Sequence, residues 1–162
     1  MTMTRRSPLT SCTLAIVLGS VSFLACSAAL ADDIEDAIEY RQDALGVMAW
    51  QIGPLGQMAQ GKREFDADIF AQRAANLAAV APLPWEGFVE GSLQNDDHGV
   101  QTDALPAIAE DRADFDERNQ ALVNETATLA ELAQGEDRDA MFEQVAKVGN
   151  TCKGCHDNFR AE

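Results

Sequence analysis

The stretch TCKGCHDNFR, residues 151–160, closes a chain of 162 residues. Cys152 and Cys155 stand one helical turn apart, and His156 follows Cys152 by four positions, so a helix sets all three on one side. Working back from here, Met141, Val145, Val148, Cys152, Cys155 and Phe159 recur at steps of three and four, the pattern of a helix with one buried face. Asp137 is suited to cap its start. The reactive side chains therefore belong to the core stripe of a terminal helix rather than to a loose tail.

The same period runs upstream. Ile34, Ile38, Arg41, Leu45, Met48, Ile52, Leu55 and Ala59 form the inner seam of a first helix, with Asp32 or Asp33 as its cap, a possible bend at Gly53-Pro54 and an end at Gly61. A second helix is predicted over 66–80, with Ile69, Arg73 or Ala74, Leu77 and Val80 inward. Residues 81–103 hold two prolines and three glycines and no helical period, which predicts a long crossover anchored by Leu83, Trp85 and Phe88. A third helix over 104–133 keeps the three-four step through Leu105, Ile108, Arg112, Phe115, Asn119, Leu122, Thr126, Leu129 and Ala133. The expected fold is all-α: an antiparallel four-helix bundle with one long crossover.

Arg5 and Arg6, the apolar run Leu14–Leu24 and the small residues Ala29 and Ala31 read as a secretory signal peptide over 1–31, leaving one domain over 32–162. The run is shorter than the roughly 20 residues that a membrane-spanning helix needs. A competing reading makes Cys26 a lipid-anchored N-terminus. Without residues 1–31, 10 basic residues face 27 acidic ones, a net charge of −17. That charge argues against nucleic acid and anionic membranes as partners. Cys152 and Cys155 are the two cysteines that remain, in a protein expected in the periplasm.

Cys-Lys-Gly-Cys-His is the signature of covalent haem attachment. Each thiol adds to a haem vinyl group as a thioether, and His156 reaches the iron from the same turn. A thioredoxin-like motif would need an α/β setting. A structural zinc would need a fourth ligand, for which His98 is the remaining histidine. A disulfide across a single helical turn would staple little.

YRQDALGVMAW (40–50), GPLGQMAQG (53–61), APLPW (81–85) and CKGCHDNFR (152–160) together make the chain similar to the bacterial cytochromes c′, bundles that carry CxxCH near the C-terminus. The resemblance covers most of residues 32–162. It implies one haem c on Cys152 and Cys155, an iron ligated by the protein only through His156, and a distal face shielded by Leu45. It also implies Arg41 near a haem propionate, Arg160 beside the proximal histidine, an aromatic at Phe159, and pairing of two chains through the first two helices. Val47, Leu83 and Phe70 are the outward apolar residues expected to contribute to that homodimer.

The residues carry part of this independently. Arg41 sits on an apolar seam with Ala37, Ile38, Ala44 and Leu45 at helical neighbour positions, so either an anion such as a propionate meets it or it snorkels to the surface. Arg160 has a plainer reading as a partner of Asp157. Leu45 can neither ligate iron nor donate a hydrogen bond, a setting that favours nitric oxide and carbon monoxide over oxygen. Trp50 and Trp85 read as packing residues, and His98 as an exposed loop residue. The expected function is non-enzymatic gas binding by a five-coordinate haem, with a role in nitric oxide binding or protection, or electron transfer, and with a possible redox partner protein. The alternative is a six-coordinate electron carrier with Met48 as the axial ligand.

Overall fold

The computed structural model describes the backbone of residues 22–162 and the side chains of residues 33–162. Most of the expected signal segment, and the reading of Cys26 as a lipid anchor, lie outside the described side chains. Helix α1 (Ser22–Ala59) buries Ile38, Arg41, Ala44, Met48, Leu55 and Met58. It runs unbroken through Asp32 and Asp33, so in the uncut chain neither caps it. Nor does Pro54 end it. Proline removes one N–H, which leaves the Trp50 carbonyl without its helical donor. Arg73 Nη1 donates to that carbonyl at 3.1 Å instead. Gly61, at φ 68°, closes the helix by donating to the Met58 carbonyl at 3.1 Å.

Helix α2 (Ala67–Val80) starts where expected, with Asp66 accepting from the Ile69 N–H at 3.0 Å. Its buried face is Phe70, Ala74 and Leu77, one position away from the predicted Ile69, which is exposed. Phe70 turns inward because Phe65 and Phe142 await it, with ring centroids 5.7 and 6.3 Å away. It therefore cannot serve an outward pairing surface.

The predicted third helix is two elements. Helix α3 (Ala107–Glu110) is a single turn, and α4 (Arg112–Leu132) restarts after Asp111. Asp111 leaves the helical region at φ −130° and caps α4 by accepting from the Asp114 N–H. Most of the expected stripe survives: Ile108, Phe115, Asn119, Leu122, Thr126, Leu129 and Ala133 are buried, but Leu105 is half-buried and Arg112 is exposed, turned out to pair with Asp116 at 2.8 Å. Helix α5 (Arg138–Phe159) is capped by Asp137, which accepts from the Ala140 N–H at 3.0 Å. Helix α1 packs on α2 and α5, and α4 on the same two, which closes a four-helix bundle.

Buried side chains form two clusters. The larger spans Met48, Leu55, Phe70, Leu77, Leu122, Val145 and their neighbours. The smaller comprises Leu93, Ile108, Phe115 and Phe159, with Trp85 packing against both clusters. The crossover does not hold itself by Leu83, which is exposed; Ala81, Pro84, Gly87, Ser92 and Leu93 are its buried residues, with Trp85 and Phe88 half-buried. It is held from α1. Tyr40 Oη lies 3.1 Å from the Leu83 carbonyl and 2.7 Å from Glu86 Oε1. Gln42 Nε2 donates to the Gln101 carbonyl at 2.8 Å, and Glu35 Oε1 accepts from the Gly99 N–H at 3.0 Å.

Gly87 marks the closest approach. A Cβ there would stand 2.6 Å from the Ala37 carbonyl oxygen and 2.8 Å from Arg41 Cβ. Gly87→Ala should lower stability by about 1–3 kcal/mol through overpacking. Gly46→Ala meets nothing within 4 Å in the middle of α1, and should instead gain roughly 0.5–1 kcal/mol. Thermal unfolding of the two variants side by side checks both signs.

Candidate functional site

Between the two clusters lies a cavity of about 400 Å³, within the ordinary size of ligand sites, roughly 300–1,000 Å³. Cys152, Cys155 and His156 line it from α5, and Leu45, Met48 and Ile52 from α1. Cys152 borders the larger cluster and Cys155 the smaller, so the motif straddles the gap. The sequence stripe on α5 is thus confirmed. Cys152 and Cys155 are half-buried and unbridged, and His156 is exposed.

Burial pushes both thiols above their ordinary pKa, and nearby Arg118 opposes this only partly at Cys155. Redox-active thiols show the opposite shift. Burial, aided by the charge of Arg160, pulls His156 below the usual histidine range, so its imidazole is neutral at pH 7 and has a lone pair to offer. Among the described residues, no group of three or more His, Cys, Asp and Glu is placed to hold a metal ion, which leaves the zinc reading without ligands. His98 is half-buried, with Nε2 2.9 Å from the Leu93 carbonyl.

Arg41 does not snorkel. It is 1% exposed. Nη1 donates to the Gly87 carbonyl at 2.9 Å and Ser92 Oγ at 2.7 Å, while Nη2 donates to the Ser92 carbonyl at 2.5 Å and Thr102 Oγ1 at 2.9 Å. The guanidinium also lies 4.5 Å from the centre of the Phe88 ring. Burial pulls its pKa down to about 10, so it stays charged at neutral pH. Among the described residues it has no carboxylate partner, and it lines the cavity.

Arg160 pairs with Asp103 at 3.4 Å, not with Asp157, which Lys153 takes at 2.5 Å. A short bridge between Ala104 and Arg160 draws the crossover against the chain end, with Leu105 N–H donating to the Phe159 carbonyl at 3.0 Å. Arg41, Thr102, Asp103 and Arg160 thereby form a connected polar rim on an otherwise apolar cavity. Phe159 is buried edge-on against Phe115, with centroids 5.4 Å apart. Thr102, Asp103 and Ser92 escaped the sequence reading, because loop residues carry no period. Arg118 escaped too: its Nη1 donates to the Gly154 carbonyl at 2.9 Å, inside the CxxCH turn. Trp50, expected to pack, is 71% exposed.

The family model for cytochrome c′ matches residues 36–160. The chain belongs to the cytochrome c′ family. It is 62% identical over 129 residues to cytochrome c′ of Halomonas halodenitrificans, covering 79% of this chain and 98% of that one. Cytochrome c prime from Shewanella frigidimarina superposes with a TM-score of 0.74 at 43% identity, over 80% of this chain and 97% of the other. A nitric oxide complex of a leucine-to-alanine variant of cytochrome c prime from Alcaligenes xylosoxidans aligns at a TM-score of 0.70 and 31% identity, over 80% and 97% of the two chains. Cytochrome c′ proteins carry covalently bound haem c, and that is the cofactor of this chain.

The cavity fits such a group. Two thiols and a neutral imidazole come from a single helical face, the body is apolar, and cations stand at one rim. Arg41→Leu would leave four acceptors in the crossover without their donor. It should cost at least about 3 kcal/mol, since each hydrogen bond to a charged group contributes roughly 1.5–3. Hydrogen exchange should show faster opening at residues 87–102, which a merely peripheral arginine would not affect.

Proposed function

We propose that this chain is an exported periplasmic haem protein that binds small neutral gases, nitric oxide first among them, without catalytic turnover. The carrying observation is that Leu45 from α1 and the Cys152–Cys155–His156 motif from α5 line one apolar cavity. Bound there, haem would be held by Cys152, Cys155 and His156 and would supply an iron to which a small gas can bind.

Cys152 and Cys155 hold the group through thioethers, and His156 is the protein's iron ligand. Leu45 contributes bulk and no polar atom, so it screens the distal side and gives bound oxygen no hydrogen bond. On the polar rim, Arg41 stands to meet a propionate carboxylate and Arg160 to act beside the histidine. Phe159 fixes the last turn of α5. The nitric oxide complex of the Alcaligenes xylosoxidans relative supports the choice of gas, and carbon monoxide follows by the same chemistry. A protective or carrier role, with electron transfer to a redox partner, fits such a protein. No helix among the described residues is long and apolar enough to cross a membrane. Homodimerisation through α1 and α2 is part of the same proposal, and Val47 and Leu83 are outward enough to take part, each 45% exposed.

A second reading keeps Met48 as an axial ligand, because it too is buried and lines the cavity. The ferric spectrum decides: high-spin bands support His156 as the single protein ligand, and a methionine–iron charge-transfer band supports Met48.

Acid–acetone extraction should leave haem on the wild-type chain and strip it from the Cys152→Ala/Cys155→Ala variant; complete release from the wild type would remove the thioether assignment. Leu45→Ala should tighten carbon monoxide binding roughly tenfold, the equivalent of about 1.4 kcal/mol of relieved crowding. Equal affinities would mean that Leu45 does not screen the distal side.

A further inference from the structure

The CxxCH turn is held from outside the cavity as well as from within it. Helix α4 restarts after Asp111, which sets Asp114 in its first turn and Arg118 one turn further on. Asp114 Oδ2 accepts from Arg118 Nε at 2.8 Å. That bond fixes the plane of the guanidinium, and another edge of it reaches across to α5. Nη1 donates to the Gly154 carbonyl at 2.9 Å. The guanidinium carbon also stands 5.9 Å from the centre of the Phe159 ring. Arg118 thus meets the end of α5 on either side of Cys155 and His156.

Gly154 is what lets the arginine in. A Cβ there would stand 3.2 Å from Nη1, closer than ordinary contact, whereas a helix interior otherwise disfavours glycine. Asn158 Nδ2 donates to the same carbonyl at 3.0 Å, so two side chains converge on one backbone group. The charge of Arg118 is also felt at Cys155, where it opposes the effect of burial on the thiol. Neither Arg118 nor Asp114 is among the residues that line the cavity, so neither acts by touching a group bound there. His156 is exposed, and packing therefore leaves its ring free to turn. The backbone of its own turn then decides where the imidazole points. Groups outside the ligand set orient metal ligands in just this indirect way. A lysine ammonium, a point charge without a planar fork, could not hold both acceptors in one fixed geometry.

We propose that Arg118, oriented by Asp114, is a positioning residue for His156: it clamps the Gly154 carbonyl and so fixes the direction from which the imidazole meets the iron. The inference rests on the reading of His156 as the protein's iron ligand and deepens it.

The test is resonance Raman spectroscopy of the ferrous holoprotein, read at the iron–histidine stretching band, together with hydrogen exchange of the amides of residues 155–159. Arg118→Gln and Arg118→Lys should both shift and broaden the band. Asp114→Asn keeps the arginine's charge but loosens its Nε, and should do the same to a smaller degree; it also serves if an arginine variant fails to fold. Lys147→Gln, which breaks an ion pair of the same spacing on α5, should leave the band in place. Exchange should quicken roughly fivefold or more in both arginine variants, the loss of one charge-assisted bond at a part-exposed site. Circular dichroism and haem content verify that each variant is folded and loaded. An unmoved band in folded Arg118→Gln overturns the proposal. So does a band that moves in Arg118→Gln but not in Arg118→Lys, since charge alone then accounts for the change. A wild type with no iron–histidine band removes His156 as the ligand, and the proposal with it.

Discussion

Arg41 carries a charge into an interior that offers it no carboxylate, and the crossover is arranged to meet that charge. Two carbonyls and two hydroxyls, drawn from Gly87, Ser92 and Thr102, surround the guanidinium. Burying a cation without such partners costs several kcal/mol. The demand therefore shapes the loop: Gly87 must lack a side chain to come close enough, and Ser92 must bury its hydroxyl. Ser92 Oγ passes the chain of bonds on to the Val89 carbonyl at 2.7 Å. A segment with no period of its own thus becomes one wall of a cavity.

That cavity is the other half of the design. Its lining from α1 is mostly apolar, with Leu45, Met48 and Ile52, a surface that gains by being covered with something other than water. The two clusters are better described as the halves of one core, with the cavity lined by Cys152 and Cys155 between them. Small neutral ligands suit what remains: a leucine and a methionine on the α1 side, and no polar side chain from that helix beyond Arg41 and Gln42 at the rim.

The helices and the motif could be read from the sequence because each is a local, one-dimensional pattern. The α5 stripe and the caps Asp66 and Asp137 needed only the helical period and short-range hydrogen bonding. Errors arose where the deciding partner was remote. Whether Ile69 or Phe70 turned inward depended on Phe142, far along the chain. Arg160 looked suited to Asp157, yet the bridge at Ala104 brought Asp103 to it. Asp111 interrupted a well-formed period because a capping aspartate five residues after Pro106 offered the chain a new helix start. Trp50 stands outside the seam of α1, and no remote partner among the described residues covers it. The polar rim, made by Thr102 and Asp103, left no trace in the sequence.

The bridge between the crossover and the chain end also bears on the order of events during folding. The Asp103 carbonyl accepts from the Ala161 N–H at 2.8 Å, so the pocket wall is pinned by a residue far along the chain. Contacts this distant in sequence close after local helices form. Helices α1, α2 and α4 can thus assemble while the CxxCH turn is still accessible. Chemistry at those two thiols would gain an interval in which both can be reached, before the final clasp closes the bundle over them.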